Sequence, residues 1–140
     1  MDKNQLAHAS AEAMWRRDQV SKWLGMKLEE VRPGYARMSM KVTQHMVNAH
    51  DTCHGGMIFT LADSTFGYAC NSHNQNALAS NCLIEYLAPA RLGDVLTAEG
   101  VEQARVGRQG VYDLRVTNAS GELIALFRGK SVTVKGRLVE

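Results

Sequence analysis

The sequence predicts a single α+β domain, residues 1–140, in which an antiparallel sheet of five to six strands wraps one long central helix. Three observations predict it. Tyr35 to Val42 alternates cleanly, with Ala36, Met38, Met40 and Val42 on one face and Tyr35, Arg37, Ser39 and Lys41 on the other, as a half-buried antiparallel strand does. Met57 to Cys70 is apolar on nearly every side, and a helix apolar all round is normally buried. The segments also run helix, two strands, central helix, four strands, with no repeat or composition break between them.

In order, residues 4–24 read as one N-terminal helix, with Leu6, Ala9, Ala13, Val20 and Leu24 near one face. Trp15 and Trp23 are expected to anchor it to the rest of the fold, and Gly25 to stop it. Met26 to Val31 is a first strand, and Arg32-Pro33-Gly34 turns the chain into Tyr35–Val42. After the central helix, Ala77 to Leu87 is strand-like and ends at Pro89. A turn at Arg91–Asp94 leads to a long strand, Val95 to Ala104. The glycine-rich Val106–Gly110 reads as a hairpin connection to Val111–Thr117, where Tyr112, Leu114 and Val116 share a face. Asn118-Ala119-Ser120-Gly121 is a strong turn, and Glu122 to Lys135 closes the sheet. Five or six strands cannot hide such a helix completely, so its remaining face is expected to meet another subunit.

Composition excludes several classes. With 140 residues, 45% of them hydrophobic and 21% charged, the chain has the make-up of a soluble globular protein. Sixteen basic residues against fourteen acidic, a net charge of +2, argue against a nucleic-acid surface. No apolar run approaches the roughly 20 residues of a membrane span, and the N-terminus lacks a hydrophobic leader core. The three cysteines, Cys53, Cys70 and Cys82, cannot all pair within one chain, so reduced thiols in the cytoplasm are the expectation. Cys53 with His45, His50 and His54 matches no standard zinc spacing, and no metal is expected.

The chemistry concentrates between Asn48 and Ser72. Gly55-Gly56 at a helix start leaves backbone N–H groups open to approach, and the helix dipole behind them favours a negatively charged oxygen. A thioester or ester carbonyl placed there would be polarised and its oxyanion stabilised. Read alone, the pair is equally a turn that admits the chain to the helix. Asp63 interrupts the apolar helix, where a carboxylate is costly unless it is bonded, paired or neutral. It can serve as general base or nucleophile, or be a structural carboxylate satisfied by Ser64, Thr65 or backbone. Eight residues place Gly55 and Asp63 about 12 Å apart along one helix, too far to act on one carbonyl carbon. Two antiparallel copies of the helix at a dimer interface would bring Gly55 of one chain beside Asp63 of the other.

The stretch Asn48…Cys53-His54-Gly55-Gly56…Leu61-Ala62-Asp63 resembles the hotdog-fold acyl-CoA thioesterases of phenylacetic acid degradation. The likeness extends through Ala79–Pro89 (ASNCLIEYLAP), Gly110-Val111-Tyr112-Asp113 and Ala125–Ser131 (ALFRGKS), so it covers nearly the whole chain. It implies the hotdog fold and hydrolysis of (hydroxy)phenylacetyl-CoA-type thioesters to free acid and coenzyme A, with no cofactor. It also implies a homodimer with composite sites, assembled as a tetramer. Asp63 matches the family's catalytic carboxylate, and Gly55 its carbonyl-polarising N–H from the opposite subunit. Asn48 and His54 match residues that arrange the loop and the thioester or water; His54 is equally readable as a structural loop clamp. Gly56, beside Gly55, is a candidate substrate-binding residue through its own N–H. Some relatives position water with a serine on the strand after the helix, and Ser80, one residue offset, is the nearest match or an ordinary strand serine. Arg91, Arg108, Arg128 and Lys130, from turns and strand ends, are candidates for the coenzyme A phosphates, or solvated surface charges.

Two other functions fit parts of the sequence. A hotdog hydratase or dehydratase would use a His with a carboxylate in loop motifs that are not found here. A non-catalytic acyl-CoA-binding module would bind the thioester without turnover, which the presence of both Gly55 and Asp63 disfavours.

Overall fold

The computed structural model describes residues 1–140. Helices α1 (Lys3–Arg17) and α2 (Gln19–Trp23) precede β1 (Lys27–Arg32) and β2 (Tyr35–Lys41). A 3-10 turn at Gln44–Met46 leads to α3 (Gly55–Cys70), followed by β3 (Ala77–Tyr86), β4 (Val95–Val106), β5 (Gln109–Thr117) and β6 (Leu123–Thr133). All pairings are antiparallel, in the order β1-β2-β4-β5-β6-β3. The helix expected to be central contacts every strand.

The strand alternation places the core as expected. Ala36, Met38, Met40 and Val42 are buried beneath α3, joined by Leu96 and Ala98 from β4 and by Tyr112, Leu114 and Val116 from β5. From the helix, Ile58, Leu61, Ala62, Phe66 and Ala69 fill the concave side of the sheet. Packing is close enough that a Cβ on Gly129 of β6 would stand 2.8 Å from the Phe66 ring, so only glycine fits there. The polar face of β2 is less open than its sequence suggests. Tyr35 and Ser39 are buried as well, because the Arg32 guanidinium stacks 3.6 Å over the Tyr35 ring and Glu29 accepts from Ser39 Oγ at 2.7 Å.

The N-terminal region departs from a single helix. Asp2 and Gln5 form a reciprocal cap at the start of α1, and the chain breaks at Asp18. The Asp18 carboxylate accepts from the Ser21 N–H at 3.0 Å, capping α2, and from the Tyr68 hydroxyl at 2.9 Å. An Asp that can cap a new helix and anchor a buried tyrosine does more there than in a helix interior. The buried face is Ala7, Ser10 and Ala11, one position along from the expected stripe, and Val20 is exposed. Trp15 packs near Tyr68, 6.4 Å between ring centroids, but Trp23 is 81% exposed and anchors nothing in this chain.

The central helix is not hidden all round. Gly56, Met57, Phe59, Thr60, Asp63, Ser64 and Gly67 are the residues of α3, after Gly55, that keep some exposure, and most of them recur at three- and four-residue spacing along one strip. β3 borders the sheet beside it as an edge strand, with Leu78, Leu83 and Tyr86 exposed.

Candidate active site at the head of the central helix

The loop that delivers the chain to α3 is pinned before any ligand arrives. Asn48 Oδ1 accepts from the His50 N–H at 2.9 Å, the Thr52 N–H at 3.2 Å and the Thr52 hydroxyl at 3.2 Å. The Cys53 N–H donates to Ala90 O and the His54 N–H to Met46 O, both at 2.7 Å. Asn48 is therefore the loop's organiser, and its amide NH₂ makes no hydrogen bond within the chain.

His54 is the N-cap of α3: its Nδ1 accepts from the Gly56 N–H at 2.9 Å. A backbone N–H can only donate, so the neutral imidazole carries its proton on Nε2. Gly56 has thus spent its N–H inside the chain. The Gly55 N–H has no acceptor. Of the two glycines, Gly55 alone presents an open donor at the positive end of a 16-residue helix.

Gly55 lines a cleft of about 360 Å³ with Thr52, Ile58, Tyr86 and Leu87. Tyr86, at the end of β3, has no role assigned from sequence, yet its hydroxyl donates to Gly55 O at 2.7 Å. A Cβ on Gly55 would lie 3.0 Å from the Tyr86 ring, so any side chain at this position would have to push the ring aside.

Asp63 lies two turns further along the open strip. It forms no ion pair, and its hydrogen-bonding neighbour is the Cys82 thiol, at 4.0 Å from Oδ1. Burial pushes its carboxyl above the usual aspartate range. The nearby thiols are raised too, chiefly by burial: Cys70 to about 12 and Cys82 upward, each with Asp63's charge adding to it. Both are held as thiols at neutral pH. An oxygen base in a half-dry position, without a cation to quench it, is suited to taking a proton or attacking a carbonyl.

Ser80 does not face Asp63. The β3–β6 register shifts between Ala79 and Asn81, and one extra residue reverses the side-chain parity of the strand. Cys82, opposite Gly129, and Ile84, opposite Phe127, then face α3, while Ser80 is exposed and donates to Lys130 O at 3.2 Å. The basic candidates also separate. Arg128 is bidentate to Asp113, at 2.6 and 2.8 Å, and holds that carboxyl below the usual range. Arg108 spends Nε and Nη2 on Thr133 O. Lys130 is exposed on the outer side of the sheet. Only Arg91 adjoins the loop, bridging backbone to backbone with Thr52, and its guanidinium is unengaged. His45, His50, His54 and Cys53 do not gather into a group that could hold a metal ion.

Comparison with known proteins fits this geometry. The model of the Thioesterase superfamily matches residues 50–125, from the pinned loop through β6's start. The chain is 42% identical to the acyl-coenzyme A thioesterase PaaI of Escherichia coli over 94% of both chains. The solved structure of E. coli PaaI, from the phenylacetic acid degradation operon, superposes with a TM-score of 0.94 at 41% identity, covering 96% of this chain and 97% of that one. A hypothetical thioesterase protein of Streptococcus pneumoniae, solved with coenzyme A, gives a TM-score of 0.77 at 27% identity over 80% of this chain and 88% of that one. The chain belongs to the thioesterase superfamily and has the hotdog fold.

Proposed function

We propose that the protein is an acyl-CoA thioesterase that hydrolyses (hydroxy)phenylacetyl-CoA-type thioesters in phenylacetate catabolism. The observation that carries this reading is the division of labour on α3: an unpartnered Gly55 N–H at its head and an unpaired, half-buried carboxylate two turns on. The first polarises a thioester carbonyl and stabilises its oxyanion. The second takes a proton from water as that water adds to the carbonyl carbon, or adds directly and is then released by water. In either route the C–S bond breaks and the leaving sulfur ends as a thiol. It takes the water's proton from Asp63 in the first; in the second it leaves as thiolate and gains its proton when water cleaves the acyl–Asp63 anhydride. Water is thus the sole co-reactant and no cofactor is needed. The similarity to PaaI and the apolar Ile58, Tyr86 and Leu87 beside Gly55 support an aryl-acetyl substrate.

The two groups are about 12 Å apart along one helix, so the working unit is a homodimer in which Gly55 of one chain serves Asp63 of the other. The open strip of α3 and the adjoining exposed edge of β3 are the surface that a second copy would cover. Two dimers assemble into a tetramer in this account. Arg91, with a free guanidinium beside the loop, is the best placed of the basic candidates for a coenzyme A phosphate. Three free cysteines suit the cytoplasm, and no helix is long and apolar enough to cross a membrane.

Free-thiol release from phenylacetyl, hydroxyphenylacetyl, benzoyl, short-chain and long-chain CoA, with wild type and Asp63→Asn, tests the proposal. Fast release from the arylacetyl members that collapses in the variant, with binding retained, is expected. Saturable binding without release from any thioester would make the protein a binding module instead.

A further inference from the structure

The peptide unit between Gly55 and Gly56 is held at both ends by side chains of the same chain. Its carbonyl accepts from the Tyr86 hydroxyl at 2.7 Å, and its N–H donates to His54 Nδ1 at 2.9 Å. The result is a continuous run, Tyr86 O–H to Gly55 C=O, then Gly56 N–H to His54 Nδ1, in which each bond polarises the next. The two holders come from distant parts of the chain. His54 is the residue before the glycines, whereas Tyr86 arrives from the far end of β3, 31 residues from Gly55.

Glycine has the widest backbone freedom of any residue, and a Gly-Gly pair at a helix start is where an unpaired N–H would most readily swing away from a target. Fixing the plane of the 55–56 peptide, and packing a ring against the Gly55 Cα at the distance where a Cβ would collide, removes that freedom. The Gly55 N–H belongs to the preceding His54–Gly55 peptide, whose carbonyl accepts from the Met57 and Ile58 N–H groups. With the planes on both sides of the Gly55 Cα held, the open donor points one way. Preorganised donors of this kind act because they need not reorient as charge develops.

We infer that Tyr86 is a positioning residue for the reaction: its hydroxyl and ring lock the Gly55–Gly56 peptide so that the Gly55 N–H stays aimed at the thioester oxygen. The inference rests on the thioesterase reading for its catalytic consequence. The lock itself exists whatever the reaction. Tyr86 is 49% exposed and belongs to no hydrophobic cluster of the core, so a merely structural role predicts little effect from losing one hydroxyl.

The test uses the full-length protein and Tyr86→Phe, which keeps the ring and removes the donor. Three readouts are taken: kcat and KM for phenylacetyl-CoA, the backbone amide resonances of Gly55 and Gly56, and the melting temperature. A fall of about tenfold in kcat with KM within twofold, the signature of an interaction realised in the transition state, together with displaced glycine amides and unchanged thermal stability, is the expected result. Tyr86→Leu, lacking hydroxyl and ring, should fall further. A Tyr86→Phe enzyme with wild-type kcat overturns the inference, as does a loss of kcat matched by loss of folded protein with the two glycine amides unmoved. Should wild type hydrolyse no thioester, the thioesterase reading fails by itself. The amide resonances then still decide the lock, since unshifted glycines in Tyr86→Phe refute it.

Discussion

The two ends of the central helix are built on opposite terms. At its tail nearly every polar group has been matched. Asn71 donates to Gly67 O and Ala77 O and accepts from the Ala77 N–H. Ser72 donates to Ala69 O while accepting from the Gly34 N–H. Asn74 ties down the C-terminal strand exit through Leu138 and Val139, and Glu102 gathers His73 and Tyr112. Toward its head the Gly55 N–H and the Asn48 amide NH₂ have no partner in the chain, and two turns on the Asp63 carboxylate has only the Cys82 thiol, at 4.0 Å. Buried polar groups that are satisfied stabilise a fold, and those that are not cost it. No buried side-chain nitrogen or oxygen is left without a partner: the tail holds the helix in the sheet, and the partly exposed groups toward the head remain open to a ligand.

The largest break in this contrast comes from Asp63→Asn. It should lower kcat by about 10³-fold, within the range for removing a positioned acid–base group. It should also raise the melting temperature near pH 7. Burial raises the carboxyl's folded pKa, so ionisation favours unfolding, and Asp63's contribution is best at low pH and declines as pH rises through that raised pKa. The gap between variant and wild type should therefore close as pH drops below the ordinary aspartate range, which melting curves across pH will show.

Gly55→Ala comes next. Its methyl would meet the Tyr86 ring and displace the open donor, for a loss of about 10²-fold in kcat. Adding Tyr86→Leu to Gly55→Ala should cost less than Tyr86→Leu costs alone, because ring and methyl compete for one space. A kinetic double-mutant cycle reads this directly. At the other end, Asn71→Ala removes three hydrogen bonds from a buried position and should cost about 2–3 kcal/mol in urea unfolding, with kcat unchanged. The smallest effects separate the arginines. Arg91→Ala should raise KM for the CoA substrate several-fold, an effect that added salt erodes, while Arg128→Ala, whose partner is Asp113, should leave KM within twofold.

Much of this was legible from the residues. Period-two alternation located β2 and β5, and the lone carboxylate in an apolar helix singled out Asp63. The glycine pair marked the helix head because it altered local backbone chemistry. What stayed hidden depends on partners far away in the chain. Asp18 breaks the N-terminal helix because Tyr68, fifty residues on, supplies a bond for its carboxylate. Tyr86 reaches Gly55 only because the bulge at Ala79/Asn81 reverses strand parity. That same shift turns Cys82 toward Asp63. A bulge inserts one residue without any strong compositional mark, so alternation counted from Ala77 assigns the wrong face beyond it.

The central claim, that one chain's Gly55 works with the partner's Asp63, is tested most directly by mixing. Gly55→Ala and Asp63→Asn chains would be unfolded together, refolded as a mixture and assayed for thiol release. Random pairing makes about half the dimers mixed, each with one intact composite site, so about a quarter of wild-type activity should return. Activity no higher than the two parents' average, with mixed dimers confirmed by mass spectrometry, would place both groups in the same chain's site and contradict the account.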